Sequence, residues 1–378
     1  MNIWTINAGS SSLKYAIFAG GSGGDPRDNC VLRAKAAATA GAEVECLMNI
    51  VRQHGESPPH AIAHRVVHGG AAYSAPASIT RDVLDTIARL APLAPLHNPV
   101  ALRWIAACRG VFGDAVPQIA MFDTAFFAAL PEAAWRYALP RRLADRNSLR
   151  RFGFHGIAHE YMWREFSVRR PQLDRGGRLI TLQLGAGCSA AAVLNGAPQD
   201  TSMGFSPFEG LVMATRAGDI DAGLLLHLQR ELGYDIRTLE QLLSRESGLL
   251  GLSSGERGDS AASASASELL RSGSRAAEIA IDIYCRRIAK YIGAYATVLG
   301  GLDGIVFGGG VGENVAGVRE RVVSRLQFLG AHLDAASNAA QSDSARRISA
   351  PQSAIDLWVI PVDEESQLAA AALALHPG

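Results

Sequence analysis

The sequence is short of cysteine, of net charge and of long apolar runs, and each shortage narrows what the chain can be. Its five cysteines (Cys30, Cys46, Cys108, Cys188 and Cys285) are scattered through 378 residues with no metal-type spacing, which points away from a cysteine metal centre and suits a reducing cytoplasm. Thirty-six Lys and Arg are balanced by 36 Asp and Glu, so nothing advertises a nucleic acid or an anionic membrane as partner, although a local cationic cluster could still hold a small anion. No stretch of transmembrane length lacks charge, and no basic segment followed by an apolar run opens the chain, so the expectation is a soluble cytosolic protein. A GxxxxGK[ST] loop is missing, which removes the P-loop folds.

What is present is organised around residues 3–18, two β-prone apolar arms flanking a polar turn with Gly9, Ser10, Ser11 and Ser12. This pattern predicts a tight hairpin whose tip offers N–H groups, hydroxyls and Lys14, donors that suit a phosphate. The layout returns at residues 179–194, where Gly187 falls on Gly9 and a second turn carries Gly185, Ala186, Gly187, Cys188 and Ser189. Two readings stand: a duplicated domain core with two phosphate hairpins, or two unrelated hairpins of similar composition. The length suits two domains with a cleft between them.

Further strands are expected at 31–36, 61–67, 118–122, 304–307 and 357–360, and helices at 42–52, from about Thr80, over 276–299 and around Val318, Val322 and Leu326. Residues 20–26 read as a flexible turn, and 260–267 as an exposed Ser/Ala tract. Pro92, Pro95 and Pro99 predict an extended loop with Asn98 as the N-cap of the next helix. Residues 308–314 read as a glycine loop, and residues 201–221 as a long irregular loop of functional type. The acidic run Asp363, Glu364, Glu365 opens a closing Ala-rich helix, where negative charge meets the positive end of the helix dipole.

Several constellations could carry chemistry. Gly185, Gly187 and Ala190 fit the dinucleotide pattern GxGxxA, but that reading needs a long helix afterwards, and Asn195-Gly196 interrupts within two turns. His155 and His159 have the i, i+4 spacing of a zinc pair, yet Gly156 follows the first and the HExxH order is missing, which favours a loop histidine plus a helix-surface histidine. Arg65 and Arg216 sit among Gly, His and small residues, and with Lys14 and His155 they could form a dispersed cation cluster for carboxylate or phosphate. The strand before Asp123 would deliver that carboxylate to its C-terminal end, where α/β sheets hold ligands.

Taken together, the motifs at 7–14, 64–70, 94–99, 122–126, 152–156, 201–221, 310–314 and 360–365 resemble the acetate kinase family of the acetate and sugar kinase/Hsp70/actin superfamily. The resemblance implies an α/β fold of duplicated ribonuclease-H-like (actin-like ATPase) domains flanking a nucleotide cleft, with a first domain at 1–125 joined by the C-terminal helix 366–378 and a second at 126–365. It implies reversible transfer of the ATP γ-phosphoryl group to acetate or propionate, with ADP as product, Mg²⁺ (or Mn²⁺) as cofactor, and a homodimer. Carried over by position, Arg65, Asp123, His155 and Arg216 are the reaction-centre residues; Val67, Leu96, Phe154 and Pro207 line the substrate pocket. Asn7 and Glu364 match the metal positions, and Ser10, Ser12, Lys14, Gly185, Gly187, Asp259, Gly310, Gly312 and Asn314 the nucleotide-binding ones.

The chain also departs from the family. Gln183 and Ala186 stand in a hairpin that usually reads HLGNGSS, Phe127 and Ala71 replace a usual histidine and glutamate, and Ala261 falls where the nucleotide loop has arginine. These changes keep open a second expectation, a catalytically weakened paralogue that senses acyl phosphate or nucleotide, and a third, a kinase with a changed phosphate donor.

Overall fold

The computed structural model describes residues 2–9, 12–19, 29–37, 40–54, 58–254 and 262–376. Ser10, Asp259, the turn at 20–26 and the side chain of Ser12 therefore lie outside the described residues. The chain divides into two compact units, Met1–Ala128 with Phe154–Ile157 and Asp363–Gly378, and Ala129–Gly153 with Ala158–Val362.

The first unit is a six-stranded mixed sheet of β1 (Asn2–Ala8), β2 (Ser12–Ala19), β3 (Cys30–Ala37), β4 (Ala61–Val66), β5 (Ala77–Ser78) and β6 (Gln118–Phe122). The order is β3-β2-β1-β4-β6-β5: an antiparallel meander, then β4 and β6 parallel to β1, then an antiparallel edge. Side chains alternate across a strand, so each face is one parity class. Trp4, Ile6, Leu13, Tyr15, Ile17 and Ile62 pack on one face under the helices Glu43–His54 and Asn98–Phe112. Ile3, Ala16, Phe18, Ala61, Ala63 and Ile119 pack on the other against Leu368, Ala369 and Ala372 of the closing helix Glu364–Leu375. That second face is the one Asn7, Arg65 and Asp123 inherit, because they continue the odd-numbered series of β1, β4 and β6 to its C-terminal end.

The second unit repeats the plan with β7 (Arg178–Leu184), β8 (Cys188–Leu194), β9 (Ala197–Thr201), β10 (Gly304–Gly308), β11 (Arg346–Arg347) and β12 (Asp356–Val359), in the order β9-β8-β7-β10-β12-β11. Again a meander is followed by two parallel strands and an antiparallel edge. Six strands matching in order and direction make this a duplicated α/β core rather than two chance hairpins. No helix follows Gly187; the chain returns as β8, which removes the dinucleotide reading. The helix Arg275–Val298, capped by Ser274, buries Ala277, Ile281, Tyr284, Ile288, Ile292 and Tyr295 along one stripe that packs on this sheet.

Several local expectations are corrected. Residues 91–97 form a 3₁₀ turn and further turns rather than an extended loop, and the helix begins one residue early, with His97 at the N-cap. Asn98 is inside the helix and fully buried; its Nδ2 donates to the carbonyls of His68 and Ile87 while its Oδ1 accepts from the His68 N–H. Residues 309–314 are a short helix, entered through Gly309 at φ +75°, where a Cβ would stand 2.6 Å from the Leu184 carbonyl oxygen. His159 is buried rather than on a helix surface, with Thr181 and Ser189 at 2.7 and 2.8 Å from its ring nitrogens. Ala266, expected to be exposed, is buried at the start of a helix capped by Ser265.

Candidate active site

In the first unit, four of the expected residues converge. Arg65 sends Nε and Nη2 to the two carboxylate oxygens of Asp123 at 3.0 and 2.7 Å, and Nη1 to Asn7 Oδ1 and Glu364 Oε2, both at 3.2 Å. Asn7 Nδ2 donates to Glu364 at 2.7 Å and to Glu365 at 3.0 Å. The planar guanidinium fork allows this, since five donors in fixed directions serve a bidentate partner and a second group at once. Glu365 was not foreseen as a site residue; its only sequence signal is its place beside Glu364 in the first turn of the closing helix.

The electrostatics follow from burial. Asp123 is completely buried, which pushes its carboxyl up against the pull of Arg65. Burial also opposes the Arg65 charge, but Asp123 and Glu364 outweigh it and hold that charge firmly in place. Glu365 is raised by burial and by the charge of Glu364, with Lys14 and Asn7 pulling the other way. Three carboxylates thus lie around one guanidinium, and among the described residues no group of three or more His, Cys, Asp and Glu side chains is drawn together as a ready-made metal site.

His155 reaches the cluster through its backbone. It has φ +59°, and its N–H bonds to the Asp123 carboxylate. The next amide, Gly156, donates to the Asp123 carbonyl at 2.8 Å. Phe154 is buried, edge-on to His68 at 5.3 Å, while the neighbouring Val67 and Leu96 are half-buried. Arg33, on β3, ties down the helix start by pairing with Asp363 at 2.7 Å. Lys14 stands exposed on β2 directly opposite Asn7.

The second unit holds the remaining expected residues. Arg216 is half-buried and donates to the Pro207 carbonyl at 3.1 Å; among the described residues it has no carboxylate partner, and burial lowers its affinity for its proton. Gly185 and Gly187 close the β7–β8 turn by an N–H to carbonyl bond of 3.1 Å, and the Ala186 carbonyl accepts from Ala214. Gln183 Oε1 is buried without a partner among the described residues. Gly310 and Asn314 lie on the exposed side of the short helix, whereas Gly312 is buried and gives its carbonyl to Arg319 at 2.7 Å.

Comparison with known proteins decides the family. The acetokinase family model matches residues 27–370. The chain belongs to the acetokinase family. It is 41% identical to an acetate kinase of Clavibacter michiganensis over 404 aligned positions, covering 100% of this chain and 99% of that protein. Among solved structures it is similar to the acetate kinase of Porphyromonas gingivalis (32% identity, TM-score 0.86) and to a propionate kinase of Francisella tularensis (31%, TM-score 0.87), each covering 99% of both chains. Nothing in these comparisons favours the binding-only paralogue.

Proposed function

We infer that the chain is a kinase that transfers the γ-phosphoryl group of ATP to the carboxylate of acetate or propionate, reversibly. The observation that carries the reading is the full-length match to acetate kinases in a chain whose Asn7, Arg65, Asp123 and Glu364 meet at one place.

The acceptor carboxylate is already ionised at neutral pH, so the chemistry needs no strong base; the obstacle is bringing two anions together. Arg65 and Arg216 supply fixed positive charge toward the carboxylate and the equatorial oxygens of the moving group. Arg216 suits this role because its charge is partly desolvated and, among the described residues, meets only carbonyl and thioether acceptors. Asp123 holds Arg65 with both oxygens, which orients the guanidinium instead of taking a proton. The half-buried His155 ring donates to the transferred phosphoryl group.

Asn7 and Glu364, with Glu365 beside them, would hold Mg²⁺, which supplies charge neutralisation for the leaving phosphate. Lys14, the first hairpin with Ser10 and Ser12, the Gly185–Gly187 turn, Gly310, Gly312, Asn314 and Asp259 are proposed to bind the nucleotide. Val67, Leu96 and Phe154 of the first unit, and Pro207 of the second, are each proposed as a contact for the alkyl group, for which one methylene changes affinity by about 0.8 kcal/mol. A homodimer in the cytoplasm completes the reading: the helix Ala222–Arg230 buries none of its residues and leaves Leu224 and Leu226 exposed for a second copy.

Trapping acyl phosphate with hydroxylamine tests the assignment. Hydroxamate formation from acetate or propionate that depends on Mg²⁺ and ATP is the expected result; none from any short-chain carboxylate would refute it.

A further inference from the structure

Residues 202–221 have no regular secondary structure, yet a small set of side chains fixes their path. Arg151 Nη1 donates to three successive carbonyls, Thr201, Ser202 and Met203, at 3.0, 3.4 and 3.1 Å, while its Nη2 pairs with Glu209 Oε1 at 2.6 Å. The Tyr137 hydroxyl donates to the other Glu209 oxygen and accepts the Phe205 N–H at 2.8 Å. Gly204 passes so close that a Cβ there would lie 1.7 Å from Glu209 Oε2 and 2.1 Å from the Tyr137 oxygen. The chain from Thr201 to Glu209 is thus closed into a ring around one guanidinium, a task that a lysine with its single ammonium cannot perform.

Pro207 lies inside that ring, and its carbonyl is the only oxygen among the described residues that the Arg216 side chain touches. The backbone of Arg216 is fixed separately: Met213 N–H donates to the Arg216 carbonyl, and Ser247 and Leu249 N–H groups donate to Thr215 and Met213. One end of the arginine is therefore set by its own backbone and the other by the ring.

We propose that Arg151, Glu209 and Tyr137 are positioning residues that aim the Arg216 guanidinium through the Pro207 carbonyl. The proposal rests on the kinase reading above and assigns to these three residues a role in the reaction, not only in folding.

A double-mutant cycle separates the two roles, since a residue acting only through Arg216 has nothing left to act on once Arg216 is truncated. Glu209→Gln is expected to lower kcat/KM for acetate by about tenfold in the native background and by less than about twofold in Arg216→Ala. An equal loss in both backgrounds would overturn the proposal. Tyr137→Phe, which removes only the hydroxyl, runs the same cycle should Glu209→Gln fold poorly. If the unmodified protein makes no acyl phosphate, the kinase reading fails by itself, and the clamp is then read from phenylglyoxal labelling of Arg216. That labelling should be at least about threefold faster in Glu209→Gln, and an unchanged rate would refute the clamp.

Discussion

Gly156 passes so close to Asp123 that a Cβ on it would lie 2.2 Å from the Asp123 carbonyl oxygen. The contact brings the Gly156 amide onto that oxygen and lets the His155 amide reach the Asp123 carboxylate. Gly156→Ala should therefore push His155 away from Asp123. We expect a stability loss of about 1–3 kcal/mol, the usual range for overpacking, with a much larger relative loss of turnover. Chemical denaturation and initial rates on the same preparation compare the two.

The Arg65 side chain is the only cation bonded to Asp123 and Glu364 among the described residues. Arg65→Ala would leave those carboxylates buried without a counter-charge, at a cost of about 3–5 kcal/mol. Arg65→Lys should restore part of the stability but little activity, because an ammonium cannot reproduce the bidentate grip on Asp123. Urea midpoints and kcat for the two variants give the comparison.

Acid should destabilise the fold through its buried neutral histidines, His64, His68 and His159, the last held down to about 3 by burial. Burial holds His64 down to about 4, against the bond its Nε2 makes with Gln118, and burial likewise holds His68 down to about 4. The folded values lie below the ordinary 6.5, so the unfolded chain takes up protons first. Their contribution is complete above about pH 6.5 and is lost as pH falls through about 4 (about 3 for His159), with a slope of up to roughly 1.4 kcal/mol per pH unit for each histidine. Urea midpoints measured from pH 7 to 4 should show this slope, and His64→Gln should remove about one histidine's share.

The hairpin between β7 and β8 offers a gain-of-function test. Ala186 lacks the side-chain amide that the resemblance leads one to expect there, and a hydrogen bond to a charged group is worth roughly 1.5–3 kcal/mol. Ala186→Asn should then lower KM for Mg·ATP by about tenfold or more, with KM for acetate nearly unchanged. An unaltered nucleotide KM would show that this turn makes no such contact.

Much of the first-unit cluster was legible because strand parity and family motifs point to the same residues. Asn7, Arg65 and Asp123 each end a parallel strand on one face, and an acidic helix start supplies Glu364. Glu365 was not legible, since whether it points at Asn7 depends on how the closing helix is rotated over the sheet. Asn98 departs from expectation for a related reason: a residue suited to capping instead bonds His68 and Ile87, a tertiary choice that local propensity does not encode. Glu209 falls in the 201–221 motif, but its partners Tyr137 and Arg151 lie 72 and 58 residues away and no period links them, so the ring is a tertiary feature that the sequence does not spell out. The glycines of 309–314 read as a loop, whereas the bond from the Gly309 N–H to Glu313 and the contact with β7 hold them as a short helix.

The most direct test of the central claim runs the reaction backwards, from acetyl phosphate and Mg·ADP, with ATP read by luciferase. The unmodified protein should make ATP, and Arg65→Ala or Arg216→Ala should reduce the rate by about a hundredfold or more. No ATP from the unmodified protein, or ATP formed undiminished by both arginine variants, would contradict the account.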